Sequence, residues 1–131
     1  MSKILIVEDE LNTRLGLSEI LIEEGYQVNS AEDGAGALEK MDPSIDLLLT
    51  DLRLPDISGI ELHKKLKGSY PELVTVVMTA YSTLNLYQEA QDAGIISWLT
   101  KPLNVDMLLS ILRNALQGAE LSKRKENQMI N

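Results

Sequence analysis

The feature that most constrains this chain is an alternation. Short apolar runs at Ile4 to Val7, Ile45 to Leu49 and Leu73 to Met78, with weaker ones at Tyr26 to Ala31 and Ile95 to Leu99, are separated by stretches of helical length. Runs this short and this apolar have the length of buried strands. A strand that is apolar throughout has no face left for water, so helices must cover both sides of its sheet. Strands alternating with helices reach that arrangement through right-handed crossovers, which make the strands parallel. The expected fold is α/β: a doubly wound, five-stranded parallel sheet in which a βα unit is repeated five times.

Helix signals fit between the strands. Leu11, Leu15, Leu17, Ile20, Leu21 and Ile22 fall largely at three- and four-residue steps before Gly25, which predicts a helix over 10–24. Ser58-Gly59-Ile60-Glu61 has the form of a capping box and starts a helix that Gly68 and Pro71 close. Ser82 or Thr83 caps a further helix ending near Gly94. Asn104 caps the last, whose apolar positions include Leu108, Ile111, Leu112 and Ala115. After Leu116 the composition turns polar, which divides the chain into a domain over 1–117 and a tail or linker over 118–131. That segment reads either as a solvated, frayed end or as the start of a helical linker.

Bulk properties narrow the function. A length of 131 residues suits one domain with one core. Twelve Lys and Arg against 20 Asp and Glu give a net charge of -8, which disfavours direct contact with nucleic acid, since phosphate binding needs a basic face. With no cysteine and a single histidine, His63, neither a disulfide framework nor a thiolate or multi-histidine metal site is available. His63 itself reads as a partly buried helix residue. The opening segment is too short for a signal peptide or a membrane span. A soluble, cytoplasmic protein is expected.

The chemistry lies at the strand ends. Asp51 stops the run Ile45 to Thr50, Glu8-Asp9 follow Ile4 to Val7, Thr79 follows Val76 to Met78, and Lys101 follows Trp98 to Thr100. In an open parallel sheet these carboxyl ends share one crevice, where reacting groups gather. Clustered carboxylates there must take up a proton or recruit a cation.

These residues carry a resemblance. The pair Glu8-Asp9, the segment Asp51-Leu52-Arg53-Leu54-Pro55-Asp56-Ile57-Ser58-Gly59, Thr79-Ala80 and Lys101-Pro102 together resemble the receiver domains of two-component response regulators across residues 3 to 117. Their fold is the flavodoxin-like, CheY-like one expected above. The resemblance implies that Asp51 accepts a phosphoryl group from a phosphohistidine of a sensor histidine kinase or phosphotransfer protein. It implies that Asp9, with help from Glu8, binds Mg²⁺ or Mn²⁺ together with Asp51 and the backbone carbonyl of Arg53. It also implies that Thr79 and Lys101 contact the phosphoryl oxygens, and that Lys101-Pro102 is a cis bond at Pro102. Physical chemistry agrees with those roles: a hard cation offsets the repulsion between a carboxylate and a phosphoryl donor, and Mg²⁺ suits an all-oxygen site. Tyr81-Ser82 and Arg53 are similar to the nitrogen-regulatory subgroup, whose outputs control transcription.

In receiver domains an aromatic residue on the last strand swings inward on activation; the matching position is Trp98, where Tyr or Phe is more usual. Full inversion of a two-state population takes ~5.5 kcal/mol of differential stabilisation, and charge-assisted hydrogen bonds supply roughly 1.5 to 3 kcal/mol each. Thr79 and Lys101 therefore just suffice. The expectation is a switch carried by Thr79 and residues 79–87, with Trp98 contributing surface rather than rotating fully inward. Leu86, Ala90 and Ala93 form the core stripe of the fourth helix. Leu84 and Tyr87 form another, which with Trp98 is either a partner face, a homodimer contact included, or packing against nearby loops. Arg53 and Tyr81 flank the path of an attacking water, which predicts a long-lived phosphoaspartate.

The chain is thus expected to be a signalling domain and not an enzyme acting on a separate substrate. A haloacid-dehalogenase-like phosphatase would need an Asp two residues after Asp51, where Arg53 stands, and a cap domain that 131 residues hardly accommodate. A flavodoxin-like carrier needs a hydroxyl- and glycine-rich phosphate loop where Glu8-Asp9 stand. A binding-only pseudo-receiver is disfavoured because every reactive position is filled.

Overall fold

The computed structural model describes residues 1–80, 83–95 and 97–130, with side chains through residue 121. In chain order the elements are β1 (Lys3–Val7), α1 (Leu11–Glu23), β2 (Gln27–Ala31), α2 (Gly34–Lys40), β3 (Leu47–Asp51), α3 (Gly59–Ser69), β4 (Val74–Thr79), α4 (Leu84–Asp92), β5 (Ser97–Thr100) and α5 (Val105–Ile130). The five strands form one parallel sheet in the order β2-β1-β3-β4-β5. This is the doubly wound (βα)5 architecture expected from the alternation.

The inner strands β1, β3 and β4 are buried almost throughout, and successive residues feed opposite layers. Ile4, Ile6, Leu47, Leu49, Val76 and Met78 pack with Leu17, Leu21, Leu108 and Leu112 of α1 and α5. Leu5, Val7 and Leu48 point the other way, onto Ala37, Leu62 and Leu66 of α2 and α3. A third cluster of Leu52, Ile60, Val77, Ala90 and Ile95 lies under α4. Strand order reverses at β1, so β1 and β3 diverge to helices on opposite faces and leave a crevice at their carboxyl ends.

Helix ends follow the predicted chemistry in most places. Ser58 Oγ accepts from the Glu61 amide at 3.1 Å, and Asn104 Oδ1 accepts from the Met107 amide at 3.0 Å. Thr83 caps α4, accepting from the Leu86 amide at 3.2 Å, while Ser82, the other candidate, lies outside the described residues. The second half of the expected capping box differs: the Glu61 carboxylate turns to Lys64, one turn on, at 3.6 Å. The helix predicted over 10–24 begins at Leu11, because Glu10 serves as its cap and accepts from the amides of Asn12 and Thr13.

Two further differences concern apolar faces and the chain end. The apolar residues of α1 divide into two stripes rather than one: Leu17 and Leu21 are buried, whereas Leu11, Leu15 and Ile22 are 54%, 52% and 58% exposed. The boundary expected after residue 117 does not coincide with a helix end, since α5 runs unbroken through Gly118 to Ile130. The segment is rich in Ala, Glu, Leu, Lys, Arg and Gln, all good helix formers, and one helical glycine costs only about 1 kcal/mol.

Candidate functional site

The site is assembled from four strand ends. Asp51 is the last residue of β3 and is 8% exposed, while Glu8, directly after β1, is 1% exposed. Asp9 beside it is exposed. Each of the three offers a carboxylate oxygen, and these oxygens lie within 4.8 Å of one another. From the loop after β5, the Lys101 ammonium donates to Glu8 Oε1 at 2.6 Å and to Asp51 Oδ2 at 2.9 Å. The Lys101–Pro102 peptide is cis. The Lys101 amide donates to the Thr79 carbonyl at 2.7 Å, which ties the ends of β4 and β5 together with Thr79 1% exposed.

Electrostatics set the resting state of this cluster. Burial pushes the Glu8 carboxyl above the ordinary carboxylate range and Asp51 pushes it further, with the bond from Lys101 only partly opposing. Burial alone would lower Lys101, but its bonds to Glu8 and Asp51 outweigh that and hold it above its usual value. The lysine is therefore an ammonium neutralising part of a surplus of negative charge. Three hard oxygen donors that converge while carrying more charge than one ammonium can balance fit a small divalent cation.

The backbone around Asp51 is held closely. Thr50 Oγ1 donates to the Asp51 carbonyl at 3.0 Å, and the Arg53 amide lies 3.4 Å from Asp51 Oδ1. Arg53 and Ser58 form an antiparallel bridge that closes the loop between them. At Gly59 a Cβ would stand 2.4 Å from the Asp51 carbonyl oxygen, so only glycine lets α3 begin this near the site.

The partner-face residues separate. Leu84 is 73% and Tyr87 44% exposed, whereas Trp98, expected as a surface contributor, is half-buried. Its indole packs on the cluster under α4 and meets the Tyr87 ring edge-on at 6.2 Å, with Nε1 buried and without an acceptor among the described residues. Tyr81, expected beside the water path, lies outside the described residues.

Several contributors escaped sequence reasoning. Arg14 of α1 donates from Nη1 to the Glu8 carbonyl at 2.8 Å, steadying the turn that carries the acidic pair. Asp56 accepts from the amides of Gly34 and Ala35 at 2.8 and 2.9 Å, so it anchors the β3–α3 loop on the start of α2, and those bonds hold its carboxyl below the ordinary range. His63 is not partly but almost wholly buried, at 1% exposure. A long-range hydrogen bond leaves no trace in local spacing. For His63 the signal was faint: it continues the buried stripe of Ile60, Leu62 and Leu66.

Comparison with known proteins agrees with this geometry. Residues 4–113 match the model of the response regulator receiver domain. The chain is 37% identical over 121 residues to the transcriptional regulatory protein ZraR of Klebsiella oxytoca, covering 92% of this chain and 27% of that protein. It is 35% identical over 117 residues to sporulation initiation phosphotransferase F of Bacillus subtilis, covering 87% and 93% of the two. It is 29% identical over 127 residues to the DNA-binding transcriptional regulator NtrC of Escherichia coli, covering 96% of this chain and 27% of that one. The chain thus spans about a quarter of the two transcriptional regulators. Among solved structures, a receiver domain protein from Methanospirillum hungatei superimposes with a TM-score of 0.88 at 30% identity, covering 93% and 98% of the chains. The response regulator TrrA of Thermotoga maritima, solved in complex with Mg²⁺ and BeF, gives 0.78 at 32% identity, covering 88% and 99%. With this sheet, this strand-end cluster and a family match over most of its length, the chain belongs to the response regulator receiver domains, and its relatives include the nitrogen-regulatory subgroup.

Proposed function

We propose that this domain is a phosphorylation-driven switch in which Asp51 takes a phosphoryl group from a phosphohistidine of a sensor kinase or phosphotransfer protein. The observation that carries the reading is the convergence of Glu8, Asp9 and Asp51 carboxylates with the Lys101 ammonium at one end of the sheet. An Asp51 carboxylate oxygen forms the new O–P bond as the P–N bond breaks, and the electron pair of that bond leaves on the imidazole. Asp9, Asp51 and the Arg53 carbonyl, with Glu8 behind them, would hold a Mg²⁺ or Mn²⁺ ion, which supplies charge neutralisation for the phosphoryl oxygens. Lys101 then exchanges a carboxylate partner for a phosphoryl oxygen and stabilises charge where it grows.

Thr79, buried at the end of β4, donates its hydroxyl to the modified group, and the start of α4 at Thr83 follows. The partner face is the exposed Leu84 and Tyr87 with the edge of Trp98, available to an output domain or to a second copy of the chain. With a charge of -8, the domain acts on transcription through an attached or bound output rather than by touching DNA. The exposed stripe Leu11, Leu15 and Ile22 begins two residues from Asp9, and it is the surface over which a protein phosphodonor approaches Asp51.

The decisive experiment is incubation with acetyl phosphate and Mg²⁺ followed by intact-mass measurement. A labile adduct of one phosphoryl group is expected in the parent and none in Asp51→Asn; an adduct that persists in the variant overturns the assignment. Arg53 flanks the water path, so the adduct is expected to decay more slowly in the parent than in Arg53→Asn. Equal or faster decay in the parent would remove the shielding role.

A further inference from the structure

His63 lies outside the strand-end chemistry and joins three elements. Its Nε2 is 2.7 Å from the carbonyl of Ala93, the C-cap of α4, and its Nδ1 is 2.7 Å from Thr75 Oγ1 on β4. A carbonyl only accepts, so Nε2 carries the proton; in the neutral ring Nδ1 then accepts from the Thr75 hydroxyl. Both side chains are almost fully buried, at 1% and 3% exposure, and each of their polar atoms is satisfied by the other or by Ala93. A helix leaves its last carbonyls without internal partners, and here a side chain from α3 takes one of them.

The rest of α4 is lightly held. Ala90 is its one fully buried residue, and Leu84 at its first turn is 73% exposed. Gly94, with φ of 87°, follows the pinned Ala93 and turns the chain toward β5. At the other end Thr83 stands four residues past Thr79.

We propose that His63 is a strut that pins the C-terminal end of α4 to α3 and β4, so that α4 turns about Ala93 and Gly94 and its motion on activation is concentrated at the Thr83 end. The pivot rests on the switch reading above; the strut itself does not. A side chain placed here gives the fourth helix one fixed end and one free end, and directs the effect of Thr79 to the exposed Leu84 and Tyr87.

Amide hydrogen exchange of the unmodified protein tests the strut. In His63→Met the amides of Ala93, Gly94 and Ile95 are expected to exchange about fivefold faster, the effect of losing one net hydrogen bond, while those of Ile6 and Leu49 keep their rates. Thr75→Val, a milder change, shifts the same three amides in the same direction. His63→Gln, whose amide still donates where Nε2 does, returns them to within about twofold of the parent. Unchanged rates at these amides, or an equal rise in β1 and β3, overturn the strut. With Mg²⁺ and beryllofluoride, exchange in the parent is expected to change at Leu86 and Tyr87 and not at Ala93 to Ile95, and in His63→Met at both ends. Equal change at both ends of the parent helix overturns the pivot. No change anywhere counts against the phosphoacceptor reading, while the unmodified protein still decides the strut.

Discussion

Glu8 and Lys101 show at the residue scale how a site is kept ready by being uncomfortable. Glu8 is buried with Asp51 close by, and the Lys101 ammonium is the group that makes this tolerable. Removing one partner of a buried ion pair leaves an uncompensated charge and costs about 3 kcal/mol or more, somewhat less here because the lysine is a quarter exposed. Lys101→Met is therefore expected to lower the urea midpoint in the presence of a chelator, and added Mg²⁺ is expected to restore most of the loss. A variant as stable as the parent in chelator would show that the carboxylates are not in conflict. His63 supplies a separate pH dependence. Burial, partly opposed by the bond to the Ala93 carbonyl and reinforced by Lys67 and Lys64, lowers its pKa below 6.5. Well above 6.5 the ring is neutral whether the chain is folded or not, so it contributes little to pH dependence there. As pH falls below that value the unfolded chain takes up a proton that the folded one refuses, and stability drops by at most about 1.4 kcal/mol per pH unit. The difference between parent and His63→Gln in denaturant titrations at pH 7 and pH 5.5 isolates this effect; a difference independent of pH would show that the histidine is not kept neutral.

At the scale of elements, α1 and α3 each do more than cover the sheet. The helix α3 starts with Gly59 against the Asp51 carbonyl, so Gly59→Ala must displace backbone at the acceptor. A cost of about 1–3 kcal/mol is expected from forcing a methyl into filled space, with slower phosphoryl uptake from acetyl phosphate. Unaltered uptake would show that the start of α3 does not position Asp51. The two stripes of α1 differ in burial, with Leu17 and Leu21 in the core and Leu11, Leu15 and Ile22 in water, where the proposed phosphodonor would approach. Leu15→Ser is expected to change stability by no more than about 0.5 kcal/mol, as surface substitutions do. It is also expected to slow transfer from a phosphorylated histidine protein about tenfold, as an interface contact worth more than ~1 kcal/mol does, and to leave transfer from acetyl phosphate unchanged. Equal slowing with both donors would place the effect in the acceptor rather than in docking.

The chain as a whole is acidic, with a cluster of three carboxylates at one end of a parallel sheet. Cation binding to the folded state alone stabilises it by mass action, about 2.7 kcal/mol at a hundredfold excess over the dissociation constant. The thermal midpoint should therefore rise by several degrees with Mg²⁺ in the parent and not in Asp9→Asn; an equal rise in both would place the cation elsewhere. No described helix is long and apolar enough to cross a membrane. The long α5 runs from Val105 to Ile130 as one continuous helix.

Most of the fold was legible because burial writes itself locally. Apolar runs of strand length, Ser58, Thr83 and Asn104 at helix starts, and Gly25 after a helix each act within a few residues. The strand-end residues Glu8, Asp9, Asp51, Thr79 and Lys101 were legible for the same reason, since parallel strands bring all their carboxyl ends to one side. The short α2 is not legible in the sequence, because its seven residues include two glycines and too few apolar residues to show a helical period; its start is secured by Asp33 and by Asp56 from a distant loop. What the sequence alone determined is which groups meet at the crevice. Only the tertiary structure decided which carboxylate Lys101 answers, which leucines of α1 face water, how deeply Trp98 sits and that His63 grips the end of α4. Those outcomes depend on distances between residues far apart in the chain, and local periodicity holds no information about them.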